Sequence, residues 1–260
     1  MALLALFAFG VSLLTLFSGF GLGTLLMPAF ALFLPIQVAV ASTAIVHAAN
    51  NLFKVGLLAG DVRRDVLLRF GLPAVAASFI GALVLTSLSG QQVLYSWTFM
   101  AREAHVTPVK LTMGILILGF ALFELVPALR DLRSPPRFLP LGGLLSGFFG
   151  GLSGHQGALR AAFLAPLGLT PQAFAATQAV LALLVDGARL LVYGGSFVLL
   201  HGSAARDQIP WPLVVVTTVS AFAGAFFGKR LLPKVSMQGI HLVVGSLLVV
   251  VGLALASGVA

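Results

Sequence analysis

The sequence predicts an all-α integral membrane protein, a polytopic helix bundle of about ten segments in two inverted repeats of five. Three observations carry that prediction. Of the 260 residues, 59% are hydrophobic and only 8% charged, with a mean hydropathy of +1.09; soluble domains carry roughly 25% charged residues. Long runs hold no Lys, Arg, Asp or Glu: 1–53, 70–101, 138–159, 161–185, 208–228 and 235–260. One crossing needs only about 20 such residues. Finally, the chain matches itself after a shift of 135 residues.

Helices are the expected spanning form, because backbone groups in lipid must be satisfied within the segment. The runs lack the polar–apolar alternation of barrel strands. Gly, Pro and charged breaks divide them into segments at about 2–17, 22–34, 38–58, 66–88, 108–126, 138–150, 157–168, 171–200, 211–228 and 237–256. The first has no basic flank and no A-x-A cleavage site, so it reads as a span rather than a removable signal. Thr107-Pro108 and Thr170-Pro171 have the form of an N-cap followed by a first helical proline, opening segments five and eight. Residues 91–109, with Trp97, Arg102, Glu103 and His105, form the longest polar-leaning connection and are expected at a membrane interface.

Segments two and seven are short. At about 1.5 Å per residue each reaches only about 20 Å, against a hydrocarbon core of roughly 30 Å. If all ten segments cross, Arg63, Arg64, Arg69, Arg130, Arg133, Arg137, Lys229, Arg230 and Lys234 share one side, leaving Arg102, Lys110 and Arg206 on the other. That split of 9 to 3 becomes 7 to 5 if the short pair turns back. The positive-inside rule therefore favours crossing, with both termini outside the cytoplasm.

The repeat needs no gap from Ser18 to Gly60. Ser18-Gly19 falls on Ser153-Gly154, Gln37 on Gln172, Ala41 on Ala176 and Gly60 on Gly195. Ser42 falls on Thr177, Asn51 on Asp186 and Lys54 on Arg189. Phe79, Gly81 and Ala82 match Phe222, Gly224 and Ala225 after an eight-residue insertion. Five segments per repeat is odd, so residues 1–130 and 131–260 form two repeats of opposite orientation within one membrane domain. Inverted repeats with glycine-broken helices at equivalent positions point to a transporter whose site lies between the halves.

Charged and polar side chains inside these segments name the candidate site, because they are costly in hydrocarbon. In segment three Thr43, His47, Asn50 and Lys54 share one helical face, with Asn51 beside it. Interhelical hydrogen bonding is the plainer account of Thr43, and Lys54 stands close enough to its helix end to snorkel. In segment eight Gln178, Asp186 and Arg189 are the counterparts, and Asp186 and Arg189, three apart, can neutralise one another or hold a substrate and a proton between them. Two glycine clusters precede the short helices: Gly19, Gly21 and Gly23 in the first half, Gly154 and Gly157 around His155-Gln156 in the second, with Arg160 one turn on. Glycines there let backbone N–H groups approach a ligand, and helix N-termini favour anions. Gly142, Gly143 and Gly147 are explained by close helix packing. Glu124, near Arg130 at a helix end, is expected to face headgroups, and His241 to be packed or interfacial.

Lys54, Arg160 and Arg189 outnumber Asp186, which argues for an anionic substrate. With no cysteine, thiolate metal sites and cysteine nucleophiles are excluded. The net charge of +8 is scattered over short loops, as suits a protein facing anionic lipid rather than nucleic acid. No P-loop, HExxH or dinucleotide fingerprint occurs, so neither an enzyme nor a bound cofactor is expected.

At SGFGLGTLLMP (18–28) and SGFFGGLSGHQGALR (146–160), and at the proline-led PIQVAVAST (35–43) and TPQAFAATQ (170–178), the sequence resembles the sulfite exporter TauE/SafE family of membrane permeases. GGLSGHQGALR followed by LVDGARLLVY is the more specific part, and the likeness runs from about Leu14 to Leu253. The resemblance implies a multi-pass protein of a bacterial plasma membrane that carries small sulfur-containing anions such as sulfite, sulfonates or sulfoacetate, outward. His155-Gln156 before Gly157 departs from the usual glycine run and is where altered selectivity is expected.

The expectation is therefore a secondary carrier for a small oxyanion, alternating access around a site between segments two, three, seven and eight. Its partners are that anion, a coupling proton or ion, and the bilayer, with a homo-oligomer left open. The alternatives are a non-transporting membrane scaffold and, less favoured, a metal-cation carrier using His47, His155 and Asp186.

Overall fold

A computed structural model describes residues 2–14, 22–88, 92–100, 102–130, 134–201, 209–231 and 237–259. Helices occupy each of the ten apolar stretches. In order they are α1 (Ala2–Leu14), α2 (Leu22–Ala31), α3 (Ile36–Leu58), α4 (Arg64–Val66) running through a π-turn into α5 (Leu72–Leu88), α6 (Pro108–Leu125) with the short α7 (Pro127–Arg130), α8 (Leu139–Ser153), α9 (Gly157–Leu164), α10 (Pro171–His201), α11 (Trp211–Leu231) and α12 (Met237–Ala256). Among the described residues, five are long and apolar enough to cross a membrane: Ile36–Leu58, Arg64–Leu88, Pro108–Leu125, Pro171–Ser196 and Trp211–Gly228. Leu52, Ile80, Leu83, Val219, Val243 and Val250 are exposed, as side chains meant for lipid are.

Both foreseen caps form. The Thr107 hydroxyl accepts from the Lys110 N–H at 3.3 Å, and the Thr170 hydroxyl from the Ala173 N–H at 3.2 Å. Each satisfies an N–H that the first helical turn leaves orphaned.

The all-α expectation needs one amendment. Tyr95–Phe99 (β1) and Arg102–Val106 (β2) pair antiparallel in the connection expected to be merely polar. The alternation Tyr95-Ser96-Trp97-Thr98-Phe99 was the signal for it. The Trp97 indole donates to the Ser257 carbonyl at 2.7 Å, tying the hairpin to the end of α12.

Glycines set the packing. On α8, Gly143, Gly147 and Gly151 recur every fourth residue, and a Cβ on each would collide with the carbonyls of Phe70, Ala74 and Ser78 respectively. Backbone therefore lies on backbone along the α5–α8 contact, the use of small residues expected between spans. Gly142 instead accommodates the Phe163 ring. α1 meets α11 in the same manner, Gly224 against the Phe9 carbonyl. α6 packs on α12, and α3 on α10. The larger core joins Leu26, Met27 and Phe30 of α2 to Val40, Met113, Ile117 and Leu248. A second gathers Phe70, Leu139, Leu164 and Leu181 beneath the α4–α5 turn.

Glu124 does not face headgroups. It is 3% exposed, and its Oε2 lies 2.7 Å from His241 Nδ1, joining α6 to α12. A carboxylate in the last turn of its helix stays buried where a neighbouring helix supplies a partner at the same depth.

Candidate functional site

The candidate site begins on α3. Thr43, His47, Asn50, Asn51 and Lys54 are all buried, while Leu52 of the same helix is 60% exposed. The polar stripe thus faces protein, as its spacing required. It is tied to α10 by a direct side-chain contact: His47 Nδ1 lies 2.6 Å from Asp186 Oδ2. The two residues stand 139 apart in sequence.

Asp186 is fully buried and gathers further donors. Arg189 Nη2 lies 2.8 Å from its Oδ1, the i, i+3 pair read from the sequence, and the Gln156 amide donates to the same oxygen at 3.5 Å. Gln156 Oε1 accepts from Arg160 Nη1 at 3.1 Å, and Arg160 Nε donates to Gln178 Oε1. The Asn51 amide donates to the His47 carbonyl at 2.9 Å. A single polar net therefore runs from α3 through the α8–α9 break to α10. Buried charges are tolerated only when paired and hydrogen-bonded in this manner.

Glycine makes the break possible. Gly154 caps α8 at φ +83°, its N–H bonded to the Gly150 carbonyl at 2.9 Å. Positive φ disfavours any residue with a Cβ, and here a Cβ would stand 2.6 Å from Arg189 Nη1. Arg189 Nη1 also reaches the Gly150 carbonyl at 3.4 Å. Gly23, in the first turn of α2, faces the same point. A Cβ there would be 3.2 Å from His47 Cδ2 and 3.5 Å from the Gly154 carbonyl. The glycine-led starts of the two short helices therefore converge on His47. Gly157, the first residue of α9, is buried beside them. Gly19 and Gly21 lie outside the described residues.

His155 is placed differently. Its ring stacks on Phe120 of α6, with centroids 5.4 Å apart, and its Nδ1 lies 3.1 Å from Ser153 Oγ. Among the described residues, no three His, Asp or Glu side chains gather where a metal ion could be held.

Several buried groups have no hydrogen-bond partner among the described residues: Thr43 Oγ1, Asn50 Nδ2, Gln178 Nε2 and Arg189 Nε. These four can donate; Ser42 Oγ and His155 Nε2 are likewise without a hydrogen-bond partner among the described residues. Lys54, 7% exposed, lies near enough to Arg160 for the two cations to repel. Among the described residues, the cations Lys54, Arg160 and Arg189 are thus all buried, Arg160 and Arg189 within electrostatic reach of Asp186 and Lys54 within reach of Arg160 and His47. Two residues that sequence reading passed over complete the surroundings. The Tyr193 hydroxyl donates to the Gly151 carbonyl, and the Ser146 hydroxyl to the Gln156 carbonyl at 3.1 Å. Tyr193 lies one turn beyond Arg189 on the Asp186 face, so helical spacing alone would have found it.

A search of the curated proteins finds no match to this chain. The family model described as Sulfite exporter TauE/SafE matches residues 4–255, nearly the whole length. The chain is a member of the sulfite exporter TauE/SafE family.

Proposed function

We propose that the protein is a secondary membrane transporter for a small sulfur-containing oxyanion, sulfite or a sulfonate, and that Lys54, Arg160, Arg189 and the open donors around Asp186 receive it. The excess of buried cations over carboxylates carries the proposal. Holding several cations together in a buried site is costly, and an entering anion offsets their mutual repulsion. Asn50 Nδ2, Gln178 Nε2 and Arg189 Nε are fixed donors of the kind an oxyanion accepts from.

Alternating access between two inverted repeats, residues 1–130 and 131–260, is supported by the helix pairing. A shift of 135 residues carries α1, α2 and α3 onto α8, α9 and α10, and α6 onto α12, while α5 reaches α11 with the eight-residue insertion. The packing pairs transform likewise: α1–α11 becomes α8–α5, and α11–α3 becomes α5–α10. α3–α10 and α6–α12 map onto themselves. The backbone glycine contacts of α5 with α8 and of α1 with α11 join helices of opposite halves, so the repeats interlock rather than stand side by side.

The test is a thermal-shift screen of the purified protein with sulfite, sulfate, thiosulfate and methanesulfonate, followed by exchange of the stabilising anion in proteoliposomes. Stabilisation and flux are expected, and Lys54→Gln, Arg160→Gln and Arg189→Gln each abolish flux while the protein still inserts. Normal flux in all three variants sinks the proposal. No flux with any anion, with a partner co-purifying, favours the scaffold alternative.

A further inference from the structure

We infer that His47 is a proton-binding site coupled to the anion site, so that a proton and the anion are bound together and travel in the same direction. The inference rests on the anion reading above and adds the coupling to it. Its observation is the His47–Asp186–Arg189 triad bridging α3 and α10 between the two glycine breaks.

Asp186 is poorly placed to take the proton itself. Its side chain is fully buried, and its oxygens already face His47 Nδ1, Arg189 Nη2 and the Gln156 amide. His47 retains 11% side-chain exposure. The 2.6 Å contact fixes the tautomer of the neutral ring, with Nδ1–H donating to Asp186 and Nε2 carrying the lone pair that accepts a proton. The Asn51 amide nitrogen stands 3.2 Å from one ring nitrogen and 3.3 Å from the other, over the ring rather than beside Nε2. The Nε2 edge instead borders Gly23, where no side chain intervenes. A proton arriving there forms an imidazolium whose Nδ1–H remains on Asp186.

The charged groups facing His47 set the sign of the coupling. Asp186 lies in direct contact from α10, Arg189 stands behind it on the same helix, and Lys54 is two turns along α3. Arg160 of α9 acts through Asp186. α2 has no charged residue; α11 carries its own only at Lys229 and Arg230, in its last turn; Asp61 lies about 21 Å along the α3 direction. Protonation adds positive charge to a site whose buried cations already outnumber its carboxylate, and a full cationic partner weakens the hold of Asp186 on Arg189. The guanidinium is thereby released toward the anion. Linkage makes the effect reciprocal, so anion binding draws a proton onto His47.

The experiment uses the full chain in lipid nanodiscs with thiosulfate and methanesulfonate, both fully ionised between about pH 5 and pH 9. Binding is expected to tighten about tenfold or more between pH 8.5 and pH 5.5, and in weakly buffered solution to withdraw protons from a pH indicator. His47→Gln is expected to reduce the pH dependence to under about twofold, whereas His241→Gln leaves it in place. Affinity independent of pH in the wild type, proton release on binding, or a pH dependence surviving His47→Gln each overturns the inference. Loss of binding at every pH in a folded His47→Gln protein makes His47 an anion ligand and overturns it too. If that variant does not fold, the wild-type proton count decides. If neither anion binds the wild type at any pH, the anion reading falls, and the coupling with it.

Discussion

Two buried histidine–carboxylate pairs of almost equal length have different surroundings. His47–Asp186 spans 2.6 Å between α3 and α10; Glu124–His241 spans 2.7 Å between α6 and α12. Each ties together helices that the 135-residue shift exchanges. Around the first stand Arg189, Gln156, Arg160 and Lys54, and two glycine-led helix starts. The helices of the second supply little beyond the pair: α12 has no Lys, Arg, Asp or Glu, and the other charge of α6, Lys110, lies about 21 Å away at its start. Gly245 and Leu125 pack beside Glu124. A buried pair holding equal and opposite demands is a structural clasp. On the reading proposed above, the same kind of pair, set among Lys54, Arg160 and Arg189, receives an anion.

The largest effect should come from Arg189. Arg189→Gln leaves Asp186 without its guanidinium, and breaking a buried pair costs about 3–5 kcal/mol. Anion flux in proteoliposomes should vanish, and thermal unfolding of the purified protein should record the lost stability. Flux at the wild-type level would place the site elsewhere and erase the contrast between the pairs.

Gly154→Ala probes the same centre from the backbone. Positive φ costs an alanine about 1–2 kcal/mol, and the methyl group would displace Arg189 Nη1. Flux should fall more steeply than thermal stability. An equal fall in both would reduce Gly154 to a helix cap.

Glu124→Gln should weaken the clasp by about 1–3 kcal/mol through an imperfectly satisfied His241, seen as a lower melting temperature. Flux and its pH response should persist in the folded fraction; their loss would show that both pairs belong to the transport cycle. The smallest effect is expected from Thr107→Ala, about 1 kcal/mol, because it removes one capping bond at the far end of α6 from Glu124. A melting-temperature loss as large as that of Glu124→Gln would mean that α6 is held by its end rather than by its clasp.

The apolar segments, both N-caps and the polar face of α3 were legible because each rests on residues within one or two turns of one another. So was the Asp186–Arg189 pair, three residues apart. The β-hairpin was missed although Tyr95–Phe99 alternates, because five residues beside longer helical runs are a weak signal. Glu124 was misplaced for a different reason: closeness to a helix end says nothing about what a neighbouring helix presents at that depth.

Sequence alone establishes that this chain is built for a membrane, that glycine clusters precede two short apolar segments, and that cations exceed carboxylates within it. These are properties of composition and short-range spacing, which survive without knowledge of any contact. Only the tertiary structure decides that Asp186 is shared between His47 and Arg189, that Glu124 belongs to His241, and that Gly23 and Gly154 converge. His47 and Asp186, Glu124 and His241, and Gly23 and Gly154 each lie more than a hundred residues apart. Their meeting depends on the depth and rotation of whole helices, which the backbone-to-backbone glycine contacts of α5 with α8 and of α1 with α11 set.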